Sequence, residues 1–116
     1  MKLLTSLVVV LLVGAAPASA ASPSLHVTPT RVARGGTVRI YGNADGCQRG
    51  DVVTIISRAF PGHAFAGIGA ISAKVRVGGA FSARGRVRLH ARPGRYGITA
   101  RCGGGNLGVA AYVRIT

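Results

Sequence analysis

The chain has 116 residues and a formal net charge of +13, with 15 lysines and arginines against two acids. Asp45 and Asp51 are the only carboxylates, which leaves almost nothing for paired-acid catalysis or a carboxylate-rich metal cage. So basic a balance favours adhesion to anionic surfaces, although abundant Arg, Ala and Gly are also what a GC-rich genome encodes.

In chain order, the first element is a leader. Met1-Lys2 is a short positive start, Leu3 to Val13 is an apolar run broken only by Thr5 and Ser6, and Ala18 and Ala20 are the small residues that a signal peptidase reads. Residues 1–20 therefore read as a cleaved secretory signal, too short for a membrane span. Residues 21–116 are left as one domain, expected to be secreted or extracellular, monomeric, and without a transmembrane segment once processed.

Cys47 and Cys102 are the only cysteines. In an exported chain their default is a disulfide, closing a loop of about 55 residues that the chain-entropy model values at roughly 4 kcal/mol. The alternatives are two free thiols or a metal site. No Cys-x-x-Cys occurs, and a metal would need further ligands.

From Leu25 onward, short alternating runs are separated by glycine-rich turns, and no sustained helical stripe appears. Leu25-Val27 opens the domain and Pro29 kinks it. In Thr37 to Gly42, Val38 and Ile40 oppose Arg39 and Tyr41. Asn43-Ala44-Asp45-Gly46 is a turn signature. Asp51 to Ser57 is apolar on both faces, suiting a central, covered strand. Arg58 to Ala70 reads as a long loop. Ile71 to Val77 sets Ile71, Ala73, Val75 and Val77 against Ser72, Lys74 and Arg76. Gly78-Gly79 turns.

Ala83 to His90 sets Val87 and Leu89 against Arg84, Arg86, Arg88 and His90. Pro93-Gly94 turns again. Arg95 to Cys102 aligns Tyr96, Ile98, Ala100 and Cys102, and the closing run aligns Leu107, Val109, Ala111, Val113 and Ile115. About seven strands at this spacing predict an all-β antiparallel sandwich.

Several stretches are similar to secreted bacterial immunoglobulin-like domains. Val27-Thr28-Pro29-Thr30 and Gly35 to Ile40 resemble their first two strands, Pro93 to Ala100 their penultimate strand, and Val109 to Thr116 their last. Cys102 to Gly108 resembles the small exported Ig-like proteins of high-GC Gram-positive bacteria. The resemblance spans most of Leu25 to Thr116. It implies an Ig-like fold and an adhesion, spacer or ligand-holding role. Enediyne-binding chromoproteins share a similar start and fold but typically carry two disulfides, and this chain can form one. There is no tryptophan for an antibody-type core, and Tyr96 stands six residues before Cys102 rather than the two of an antibody tyrosine corner.

No catalytic constellation emerges, so the chain is expected to be no enzyme and to need no metal or cofactor. Gly103, Gly105 and Gly108 match a dinucleotide-type spacing, but a strand follows and no acid lies downstream. An EF-hand counted from Asn43 has Gln48 and Thr54 where Gly and Glu are required. His26, His63 and His90 are scattered.

Two features point to binding. Arg84, Arg86 and Arg88, with Arg92 and Arg95 close behind, form a cationic row. Alternate residues on a strand repeat every ~6.6 Å, inside a Debye length of ~8 Å. An anionic polymer would relieve that repulsion through bidentate contacts, and the plain alternative is a solvated face. In the loop around Phe60, His63 and Phe65, the aromatics either cap the core or form a recognition patch. The expected function is a non-enzymatic binding or structural module of the cell envelope, contacting anionic polymers or acidic glycans and no specific nucleic acid. The alternatives are a small-molecule carrier with a cleft near Phe60–Phe65, or a secreted enzyme inhibitor.

Overall fold

The structure of the chain, a computed structural model, describes residues 22–103 and 105–116. The leader, residues 1–20, lies outside them. The described residues form an all-β domain of eight strands: β1 (Ser24–Thr28), β2 (Arg31–Val32), β3 (Thr37–Asn43), β4 (Val52–Ile56), β5 (Ala70–Lys74), β6 (Ala80–Arg86), β7 (Gly94–Cys102) and β8 (Gly105–Ile115). One 3₁₀ turn, Val77–Gly79, precedes β6.

The strands make two sheets. The smaller has the order β1-β3-β6, and the larger β2-β8-β7-β4-β5. All pairings are antiparallel except the two-residue parallel match of β2 with β8. The larger sheet curls into a half-barrel, so that β1 approaches β8 and β5 approaches β6.

Period-two alternation builds the core. Leu25 and Val27, Val38 and Ile40, and Phe81 and Val87 face inward from the small sheet. Val53 and Ile55, Ile98 and Ala100, and Ala111, Val113 and Ile115 meet them from the large one. A one-residue slip in any of these strands would turn its apolar set to water, which fixes the register.

The structure corrects three sequence expectations. The strand expected over Ala83 to His90 is β6, Ala80–Arg86, and its inward row is Phe81, Ala83 and Gly85, with Val87 buried just past its end. Beyond Arg86 the chain leaves its sheet: the Val87 amide donates to the Gly36 carbonyl and the Arg88 amide to that of Ala59. Leu89, expected inside, is therefore 65% exposed. Val77, expected to continue the row of Ile71, Ala73 and Val75, is 71% exposed because the chain turns through Gly78 at φ 79°. The two-residue β2 was not expected.

Gly42 faces Leu25 across the β1–β3 ladder. A Cβ there would land on the Ser24 carbonyl, which is backbone and cannot rotate away. Gly42→Ala is expected to lower stability by about 1–3 kcal/mol, the usual cost of overpacking. Urea unfolding checks this, and an unchanged midpoint would refute it.

Candidate anion-binding site

The connection of eight residues or so between β3 and β4 crosses from one sheet to the other, and there Cys47 bonds to Cys102 at the end of β7, with Cα atoms 6.2 Å apart. The bridge ties one end of the two-layer domain. Asp45 and Asp51, the only acids in the chain, line a hollow beside it.

The strand registers place the candidate arginines at the opposite end. Asn43, next to the crossing, pairs with Ala80, whereas Thr37 pairs with Arg86 at the far end of the same ladder. Likewise Cys102 pairs with Gly105 near the bridge, and Arg95 with Arg114 far from it. Arg88 and Arg92 follow at the far end, Arg31 joins them from β2, and Arg34 and Arg58 from other connections; all are exposed. Both carboxylates thus lie at the disulfide end, away from these arginines.

The predicted row is split. Arg84 and Arg86 lie on the outer face of β6, an edge strand, and Arg88 continues them just past its end. Sequence analysis missed a neighbour: Arg39 pairs directly with Arg84, and its guanidinium sits 4.9 Å from the Tyr41 ring centroid. His26 lies beyond, 5.2 Å from Tyr41 between centroids. Arg86 Nε donates to the Gly35 carbonyl at 3.3 Å, which steers its side chain along the turn before β3. Arg92 lies in the connection before β7, where its carbonyl accepts the Tyr96 hydroxyl at 2.7 Å. Arg95 belongs to the other sheet, stacked on Tyr112 with 3.8 Å from guanidinium carbon to ring centroid.

Arg88 also joins the row to the loop. It lines, with Arg58, His63, Pro61 and Ile68, a cleft of about 620 Å³ over Phe60. The loop is shaped locally. The buried Ser57 hydroxyl donates to the Gly97 carbonyl at 2.8 Å and accepts the Ala59 amide at 3.1 Å. Phe65 and Ile68 exchange backbone hydrogen bonds around Ala66 and Gly67, both at positive φ, as a two-residue hairpin turn requires. His63 Nδ1 donates to the Gly67 carbonyl at 3.2 Å.

The two phenylalanines take different roles. Phe60 is buried at 1% exposure and caps the core. Phe65 is half-buried, and Arg101 stacks over it at 5.4 Å. The loop thus presents cations and a histidine around an apolar floor, a surface suited to an anionic ligand. Among the described residues, no group of three His, Cys, Asp or Glu side chains could hold a metal ion, and no helix is long and apolar enough to cross a membrane.

No family model and no curated protein matches the chain. A solved structure that it resembles is that of the Pseudomonas fluorescens alkylpurine DNA glycosylase AlkC bound to DNA containing an abasic site analog, with a TM-score of 0.53 and 18% identity. The match covers 82% of this chain and 30% of that one. At that identity the likeness is one of fold alone.

Proposed function

We propose that this chain is an exported, non-enzymatic binding module of immunoglobulin-like type. It holds anionic polymers of the cell envelope or extracellular space, such as teichoic acids or acidic glycans, through the outer face of β6. The observation that carries this reading is the placement of Arg84 and Arg86 on the exposed face of β6 beside Arg39, with Arg88 exposed just past the strand's end and both acids of the chain at the opposite end. Like charges directly opposite on a sheet destabilise it. A polymer bearing regularly spaced anions removes that repulsion and gains paired guanidinium contacts. Arg39 and Tyr41 add a stacking surface for sugar rings or for further cations.

The test compares two triple variants of equal charge change. Arg84→Gln, Arg86→Gln and Arg88→Gln together should weaken binding to teichoic acid and to a sulfated glycan. They should also flatten the slope of log K against log salt by about 2, near the 0.7–0.9 expected for each lost contact. Arg49→Gln, Lys74→Gln and Arg76→Gln, at the disulfide end, should change neither appreciably. Equal losses from both triples would mean that net charge alone drives binding, and the site would be wrong.

A second reading, a small-molecule carrier, draws on the cleft beside the Phe60–Phe65 loop, floored by Phe60 and walled by Pro61 and Ile68. Binding governed by apolar burial in that cleft would respond little to salt.

A further inference from the structure

We infer a second anion site on the outer face of the larger sheet, built by Arg31, Arg114 and Arg95. It takes a compact, multiply charged oxyanion of the diphosphate type. The three residues stand abreast on β2, β8 and β7: Arg31 pairs with Arg114, and Arg114 with Arg95. Their spacing is set by the distance between strands, ~4.8 Å, instead of the ~6.6 Å along a strand that separates the β6 arginines. Neighbouring arginines in this set stand well inside a Debye length of ~8 Å, and the three together span about 10 Å. Neither acid of the chain is near, because both lie at the disulfide end.

Two further features make this more than a charged edge. Tyr112, 49% exposed, lies opposite Gly97. The Tyr112 ring lies over Gly97, at ordinary van der Waals distance (3.7 Å) from where a Cβ would stand. Arg95 stacks on that ring at 3.8 Å. Stacking occupies a face of the guanidinium and leaves its N–H edge for a bidentate contact. Beside it, Thr30, Arg95, Tyr112 and Arg114 line a hollow of about 170 Å³. The Arg114 amide donates to the Thr30 carbonyl at 2.8 Å, which holds Thr30 at the rim. The hollow is shallow and open, and seats a compact anion against the N–H groups of Arg95 and Arg114.

The site differs from the proposed β6 face in sheet, spacing and ligand, so the two stand or fall separately. The test is a titration of the protein with inorganic pyrophosphate, inorganic phosphate and dimethyl phosphate, followed by calorimetry and by the Arg Nε–Hε resonances. Affinity should fall in that order, with the Arg95 and Arg114 signals moving first. Arg95→Gln should weaken pyrophosphate by about tenfold. Tyr112→Ala, which leaves the charge unchanged, should weaken it by about threefold or more, and Tyr112→Phe should not. The β6 triple variant should retain most of the pyrophosphate affinity. Loss of pyrophosphate binding to the same degree in the β6 triple and in Arg95→Gln would overturn the inference, as would full binding by Tyr112→Ala with all residues still folded by amide spectra.

Discussion

Phe60→Ala should destabilise the domain by about 3–5 kcal/mol, the range for truncating a buried aromatic. The reason lies on another strand. Gly85 occupies an inward position of β6, where the alternation calls for an apolar side chain, and the Phe60 ring fills the space instead. A Cβ on Gly85 would meet Phe60 Cε1 at 2.8 Å and Ile40 Cδ1 at 3.2 Å. Gly85→Ala alone should therefore cost about 1–3 kcal/mol through overpacking.

In the Phe60→Ala background the same alanine enters vacated space, and its cost should shrink or change sign. A double-mutant cycle should return a coupling of about 1 kcal/mol or more. Phe65→Ser, by contrast, removes a half-buried ring stacked with Arg101 and should cost about 1 kcal/mol or less. Chemical denaturation of the wild type and the four variants measures all of this. Strict additivity between positions 60 and 85, or equal effects of the two phenylalanine changes, would show that the loop does not cap the core as described.

That pair also shows where the sequence could be read and where it could not. The inward files of β3 and β8 were legible because Val38 and Ile40, and Ala111, Val113 and Ile115, alternate without interruption. The disulfide was legible in the cysteine count and in the export expected from the leader. β6 was misplaced because its inward file contains Gly85, a gap whose cause is Phe60 in a distant loop, and no local pattern encodes a ring arriving from elsewhere. Leu89 and Val77 continued an apolar alternation on paper, but backbone hydrogen bonds to Gly36 and Ala59, and a turn through Gly78, take the chain out of its sheet before either can be buried.

The candidate site divides in the same way. The outward file Arg84-Arg86-Arg88 needs only the period of two. Its neighbour Arg39 needs the β3–β6 register, and the abreast set Arg31, Arg114 and Arg95 needs a parallel pairing of two residues that sequence does not announce. Arg95, grouped with the β6 row by its nearness in sequence, lies in the other sheet because a single turn carries the chain across.

Removing the bridge, by reduction or by Cys47→Ser with Cys102→Ser, is expected to cost about 4 kcal/mol for a loop of this length, lowering Tm by roughly 15–30 °C in a domain of this size. The crossing from β3 to β4 explains why so much depends on one bond. Little apolar surface holds it: Ala44 is buried and Cys47 partly so, while Gln48, Arg49, Gly50 and Asp51 are exposed. Its own contacts are short-range turns, with the Cys47 amide donating to the Ala44 carbonyl and the Gln48 amide to Asp51 Oδ2.

Its other backbone ties to the rest of the domain are the Ala44 amide on the Gly79 carbonyl, beside β3, and, near β4, the Gly50 amide on the Val75 carbonyl and the Val75 amide on that of Asp51. Without the bridge, the two hydrogen bonds to Val75, just past β5, are what join the β4 end of the crossing to its neighbours, and the β7–β8 hairpin loses its tether at Cys102. Amide exchange should quicken first at Gly50, Asp51 and Val75, and only later at the buried strands β3 and β7. A contribution of this size is usable only where thiols oxidise, which links the prediction to the proposed export. A reduced protein with unchanged Tm, and with unchanged protection at those three amides, would show that the crossing holds itself and that the disulfide is dispensable.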